Sequence, residues 1–496
     1  MLLALILTAT LAQAADTSLA ASKTADARPN IILITADDMG FQLGCCGDTV
    51  ATTPNMDRLA RGGIRFTRGF VTQSSCSSSR SSLLTGLYPH QNGQIGLAGH
   101  DNDPGVLTNG YAMRPNQVTL PTLLKQAGYR TGIIGKLHVQ PASAFDFDYQ
   151  NINTGDTRDT EKLRANCNAF LGDTGGKPFF FYLNLFDPHA PWTRDVHGSP
   201  KTKVAAEQVK VFPFMSPSDD SAGMRQQIAD YYTCVNRVDE GMGVLMDVLR
   251  ERGLLTNTLV VLLGDNGPPF PRAKVSSFEA GVNTPFIISW PGRLKPQVSG
   301  AFICGVDFMP TFLELAGAKL PAGLPGRSLL PLLRGEPGKW REWLATEYTT
   351  HEVRRLNPQR SVRDARYKLT LTLMNDPAFK WPEGITLEQY RKVQPLAAKG
   401  DFIQLYDLKE DPYEFKNLAG KSELREEQDR LSKQLQSWRE ATQDPLLDLA
   451  ALRALVLKEK DPPVAPVPAW KKAMRAKYKA AGKADKNKEK PEASNE

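Results

Sequence analysis

Cysteine is scarce, with six in a chain of 496 residues. That excludes a disulfide scaffold, which crowds its cysteines into a short secreted chain. Cys45 and Cys46 are adjacent and poorly placed to bridge each other. Cys167, Cys234 and Cys304 fall in patterns that read as core helix or strand, where cysteine behaves as a small hydrophobe. Long apolar runs are missing as well. Beyond the N-terminus nothing approaches the ~20 residues that a membrane helix needs, which excludes a membrane span. No internal repeat is visible, so a solenoid is excluded. A large excess of one charge is also absent from the fold. The formal charge is +7, but residues 461–496 hold nine Lys/Arg and five Asp/Glu, a net of +4, leaving +3 for the rest. Such a balance offers no footprint for a nucleic-acid partner.

What is present is enough apolar material for a large core, 41% hydrophobic with 8% aromatic. Residues 1–15 read as a secretory signal, with a short apolar core from Leu2 to Leu11 and small residues after it. That implies a periplasmic or secreted protein. Asn30–Ala36, Pro178–Phe186 and Leu259–Leu263 are apolar runs that fit strands buried on both faces. Thr122–Ala127 and Ala229–Arg252 read as helices between them. The expected fold class is α/β, a large mixed central sheet flanked by helices on both faces, with a smaller C-terminal α+β domain. The boundaries are 28–338 for the large domain and 339–455 for the smaller one. Residues 456–496, rich in Lys, Ala and Pro, are expected to form a disordered basic tail.

Polar clusters follow several of the strands: Asp37-Asp38, Lys136 with His138, Asp187 with His189, and Asp265-Asn266. In open α/β sheets the carboxyl edge is where ligand crevices form. These distant segments are therefore expected to converge.

The block Cys76-Ser77-Ser78-Ser79-Arg80, with Thr85-Gly86 behind it, resembles the signature of the formylglycine-dependent sulfatases. Gly135-Lys136-Leu137-His138, Asp187-Pro188-His189 and Lys274 with Glu279 and Gly281 match further elements of that family in order. The resemblance implies an alkaline-phosphatase-like fold and a formylglycine made from Cys76 by a formylglycine-generating or other sulfatase-maturating enzyme. It also implies a calcium site of Asp37, Asp38, Cys76, Asp265 and Asn266, with Mg²⁺ as the other option. Positive charge on sulfate would come from Arg80, Lys136 and Lys274. His189 would protonate the leaving atom, and His138 would take the proton that frees sulfate. Ser78 departs from the pattern, since Pro or Ala is usual there.

Within the family the chain resembles the sulfamidase branch, through Leu83–Leu97, Arg130–Val139, Asp265–Pro271 and His351-Glu352-Val353. Lys274 departs from it, as arginine is expected there, and Thr350 stands where a second histidine is expected. The implied substrate is a sulfated saccharide, foremost the N-sulfate of a terminal glucosamine in heparin-like chains. His351, Glu352 and Arg360 are the residues expected to select it. Three alternatives stay open: an O-sulfate ester hydrolase of the same mechanism, a phosphonate or phosphate monoester hydrolase, and a non-catalytic binder of sulfated glycans if Cys76 stays unmodified.

Overall fold

The computed structural model describes residues 28–99, 110–462 and 469–488, so the expected signal segment lies outside the described residues. Eight strands form the main sheet: β1 (Asn30–Ala36), β2 (Ile64–Phe70), β3 (Arg130–Gly135), β4 (Tyr149–Asn151), β5 (Phe179–Leu185), β6 (Thr258–Gly264), β7 (Phe286–Ser289) and β8 (Gln297–Cys304). Their order is β4-β3-β5-β1-β6-β7-β2-β8. Strands β3, β5, β1 and β6 run parallel, whereas β7 is antiparallel to both β6 and β2, so the sheet is mixed.

The two-residue period of a strand explains the continuous apolar runs. Ile31 and Leu33 of β1 pack into one core layer, while Ile32 and Ile34 point into the other. Leu259, Val261 and Leu263 of β6 alternate with Val260 and Leu262 in the same way. Both faces are covered, and each such fully buried side chain is worth roughly 1.5–3 kcal/mol. Because the four central strands are parallel, their carboxyl ends open on one edge. This is the edge where the polar clusters sit.

A second sheet follows, β12-β11-β10-β9, built from β9 (Leu344–Tyr348), β10 (Gln359–Arg363), β11 (Tyr367–Thr372) and β12 (Ile403–Asp407). All its pairings are antiparallel, and the helix Arg425–Ala441 packs over β10 and β11. Strand β10 (QRSVR) is buried throughout although its sequence is polar. The reason is ionic. Asp444 accepts from Arg360 Nε and Nη2 at 2.9 Å each and from Arg439 Nε at 2.8 Å, and Arg360 also lies 3.3 Å from Glu347. Burial works against the Asp444 carboxylate, but Arg360 outweighs it and holds the carboxyl well below its usual range.

That pairing has a measurable consequence. Asp444→Asn leaves two buried guanidinium groups short of a counter-charge and is expected to cost about 3 kcal/mol, read as a lower urea midpoint. A depressed native pKa contributes stability above the unfolded value near ~4, and the contribution is lost as pH falls below it. The wild-type midpoint should therefore drop between about pH 5 and 3, and Asp444→Asn should flatten that drop.

The C-terminal segment departs from expectation. Leu449–Lys458 is helical, and a further helix, Ala469–Lys488, packs against the long helix Ala222–Glu251. Compositional reasoning missed it because the apolar anchors are sparse. Met474 and Tyr478 stand one helical turn apart and join the core layer beneath them.

Candidate active site

Each strand end delivers its residue for a local reason. Asp37 and Asp38 follow β1 directly, and Asp38 takes a positive φ of 68°, which Asp tolerates better than most residues. Gly135 ends β3 with φ 85°; a Cβ there would sit 2.0 Å from the Asn184 carbonyl oxygen, so only glycine lets Lys136 turn into the site. Cys76 opens the helix Cys76–Thr85, which is buried at every position. Asp265 and Asn266 follow β6, and His189 follows β5.

These side chains converge. Cys76 Sγ lies 3.3 Å from Asp37 Oδ1, 3.9 Å from Asp38 Oδ1 and 3.1 Å from Lys274 Nζ. Lys136 Nζ donates to Asp37 Oδ2 at 2.6 Å, and Lys274 Nζ to Asp38 Oδ1 at 2.6 Å. Asn266 Nδ2 donates to the same Asp38 oxygen at 2.8 Å. Ligand atoms of Asp37, Asp38, Cys76 and Asp265 all lie within 4.8 Å of one another, and so do those of Asp37, Cys76 and His189. His138, at φ 53°, lines the same cleft as His189, Cys76 and Lys274.

Burial and charge set the protonation states. Asp37 is lowered well below the usual carboxylate range: burial opposes this, but Lys136, His189 and Arg80 overcome it. Burial and then Asp37 push Asp265 up to about 6. Burial, reinforced by Asp37, drives the Cys76 thiol upward, so an unmodified Cys76 is a protonated, weak nucleophile. Burial works against the ammonium groups of Lys136 and Lys274, yet the adjacent carboxylates keep both raised. Burial lowers His189 to about 4, with its Nδ1 facing the Ala190 carbonyl at 2.5 Å.

The acidic cluster is a candidate site for a hard cation. Asn266 Oδ1 is buried without a hydrogen-bond partner among the described residues, and three carboxylates stand beside it. An oxygen-rich donor set of this kind fits Ca²⁺ or Mg²⁺.

Arg80 is displaced from its expected role. It is wholly buried behind the site, with Nε 2.9 Å from Asp265 and Nη1 bonded to Thr35, the Lys136 carbonyl and Asn184. It braces the strand ends rather than facing solvent. Arg360 is a clearer correction. Its guanidinium is spent on Asp444 and Glu347, it is fully buried, and it does not line the cleft. His351 and Glu352 do line it. His351 Nδ1 sits 2.8 Å from Ser75 Oγ, and burial, followed by Lys274, holds its pKa well below normal.

Sequence reasoning missed several supports. Thr35 and Asn184 hide inside apolar strands, and Tyr231 Oη bridges the Asp38 carbonyl and the Gly40 amide from a helix. Arg158 and Arg237 hold Asp187 beside the His189 turn. Only the polar interruption of the runs at Thr35 and Asn184 signalled any of this.

The geometry agrees with comparisons to known proteins. Residues 29–318 match the Sulfatase family, and residues 273–380 match the family described as N-sulphoglucosamine sulphohydrolase, C-terminal. Human N-sulphoglucosamine sulphohydrolase is 33% identical over 84% of this chain and 91% of its own length. Human arylsulfatase A is 31% identical over 81% and 86%, and an ulvan-active sulfatase of Formosa agariphila is 30% identical over 88% and 85%. A solved protein in complex with its substrate D-glucosamine-2-N,6-O-disulfate shares the fold at TM-score 0.65 and 23% identity, over 84% of this chain and 98% of that one. With Cys76 seated among Asp37, Asp38 and Lys274 at the carboxyl edge of the main sheet, and a family match across more than half its length, the chain belongs to the sulfatase family.

Proposed function

We propose that this sulfatase removes the N-sulfate of a terminal N-sulfoglucosamine in heparin-like saccharides, using a formylglycine at position 76 and a Ca²⁺ ion. The observation that carries the substrate reading is the C-terminal match over residues 273–380, because that stretch supplies Lys274, His351 and Glu352 to the cleft wall.

Asp37, Asp38, Asp265 and Asn266 would hold the cation, which supplies Lewis-acid stabilisation of sulfate oxygens when bound. The three carboxylates are matched by Arg80, Lys136 and Lys274, so the cluster is formally neutral by itself. A divalent cation makes it net positive, which suits an anionic substrate. Oxidised and hydrated, residue 76 supplies the hydroxyl nucleophile. Lys136 and Lys274 flank that position and neutralise sulfate charge. His189 delivers a proton to the leaving nitrogen; burial lowers its pKa, and the negative charge of bound sulfate favours the protonated form. His138 accepts the proton that releases sulfate. His351 and Glu352 contact the sugar.

Cys76 is 1% exposed. Its conversion by a maturating enzyme therefore precedes closure of the fold, in keeping with an exported, periplasmic or secreted protein. Among the described residues no helix is long and apolar enough to cross a membrane.

The test is sulfate release from N-sulfoglucosamine against glucosamine 6-O-sulfate and a phosphonate monoester. We expect kcat/KM at least about a hundredfold higher on the N-sulfate, the discrimination a site of paired polar groups can supply. Faster turnover of either other substrate overturns the N-sulfate reading.

A further inference from the structure

The helix Ala469–Lys488 lies beyond residues 29–380, the stretch that the two family matches span together. Its seat is specific. A Cβ on Gly223 of the long helix would stand 2.4 Å from the Tyr478 carbonyl oxygen, so the two backbones touch where a side chain is missing. Lys477 Nζ and Tyr478 Oη reach the same oxygen of Asp230 at 2.6 and 2.8 Å, and that carboxylate is wholly buried. The Tyr478 ring also lies 6.3 Å from the Trp192 ring. A buried carboxylate that takes a lysine and a tyrosine from one helix fixes its register as well as its position.

Fixing that register aims one face at the active site. Trp470, Lys471, Met474, Arg475 and Tyr478 fall at intervals of one, four, five and eight residues and all line the cleft that contains Cys76 and Lys274. Lys471 stands 3.4 Å from Glu352, so the helix abuts the segment assigned to sugar contact. Arg475 is exposed and pairs with no described carboxylate. The cleft is about 1550 Å³, larger than the ~300–1,000 Å³ that holds a drug-sized ligand. A single sugar at Cys76 leaves much of it unfilled.

We propose that this C-terminal helix is an added saccharide subsite, in which Lys471 and Arg475 pair with sulfate or carboxylate groups of sugar units beyond the terminal one, and Trp470 offers an aromatic face to a pyranose ring. The inference rests on the sulfated-saccharide reading above and adds to it: the enzyme prefers chains over single sugars. Cations on a stiff helix next to an apolar surface suit an anionic polysaccharide, because charge brings the chain in and the ring holds the sugar face.

The experiment compares the full-length wild type with Lys471→Ala/Arg475→Ala and with Trp470→Ala, all changes at accessible positions that leave Asp230 and Gly223 in place. Calorimetric titration with a heparin-derived tetrasaccharide is expected to show about fivefold weaker binding for the double variant, a difference that fades at high salt. The ratio of tetrasaccharide to monosaccharide kcat/KM should fall by a similar factor, through KM. Trp470→Ala should weaken tetrasaccharide binding with no change in salt dependence. Unchanged tetrasaccharide binding in both variants overturns the subsite. If the wild type fails to hydrolyse N-sulfoglucosamine yet the binding losses persist, the N-sulfate reading fails and the subsite stands.

Discussion

Cys76→Ala is expected to abolish sulfate release, with kcat falling by at least about 10⁴-fold, the scale on which removal of a nucleophile acts. The site explains why no neighbour can substitute. Lys136 and Lys274 are held protonated by Asp37 and Asp38 and so lack a free lone pair. The hydroxyls of Ser77 and Ser78 are turned away, toward the Ala98 amide and Gln73. Alanine fits the first turn of the helix without strain, so the thermal midpoint should stay within a few degrees of wild type. The same position gives a chemical readout in the unaltered protein. The peptide that spans Cys76 should weigh about 18 units less than its thiol form, since formylglycine replaces sulfur by an aldehyde oxygen with loss of hydrogen. A full-mass thiol peptide from active protein overturns the nucleophile assignment. It also tests whether Ser78 is accepted in maturation.

Asp38→Asn carries the second-largest expected loss, about a thousandfold in kcat/KM, comparable to removing an electrostatic stabiliser aimed at the reacting group. The substitution is chosen for the backbone. Position 38 sits at φ 68°, a region that Asn enters as readily as Asp, so shape is kept and only charge is removed. One Asp38 oxygen accepts from both Lys274 and Asn266. Its loss frees Lys274 to swing and strips one carboxylate from the cation site. Calcium titration by calorimetry should show at least tenfold weaker affinity, roughly the loss seen when the surroundings of a metal site are damaged. Chelator treatment of the wild type should mimic the variant and be reversed by added Ca²⁺. Full activity in metal-free protein is the outcome that removes the cation from the scheme.

Legibility in the sequence followed the physics of each element. Strands β1, β5 and β6 were readable because burial on both faces leaves an unbroken apolar run. Strand β10 was not, since its arginines are buried through ion pairs whose partners, Asp444 for Arg360 and Glu279 for Arg363, each lie 84 residues away along the chain. Arg360 was misjudged for the same reason: its charge suggested a ligand, and the distant carboxylate of Asp444 had already claimed it. The C-terminal helix was hidden by composition, its few anchors diluted among Lys and Ala.

By itself, the order of residues determined which chemical groups are available and that several follow strand ends: the carboxylates at 37, 38 and 265 and the lysine at 136, with the cysteine at 76 and the lysine at 274 marked by their motifs. Tertiary structure alone decided which charges meet. Coulomb attraction and desolvation act through space at a few ångströms, and the ion pairs that matter here are separated by up to 247 residues of chain. Arg80 became a brace, Arg360 a buried strut and the basic C-terminal segment a wall of the cleft because packing chose their neighbours.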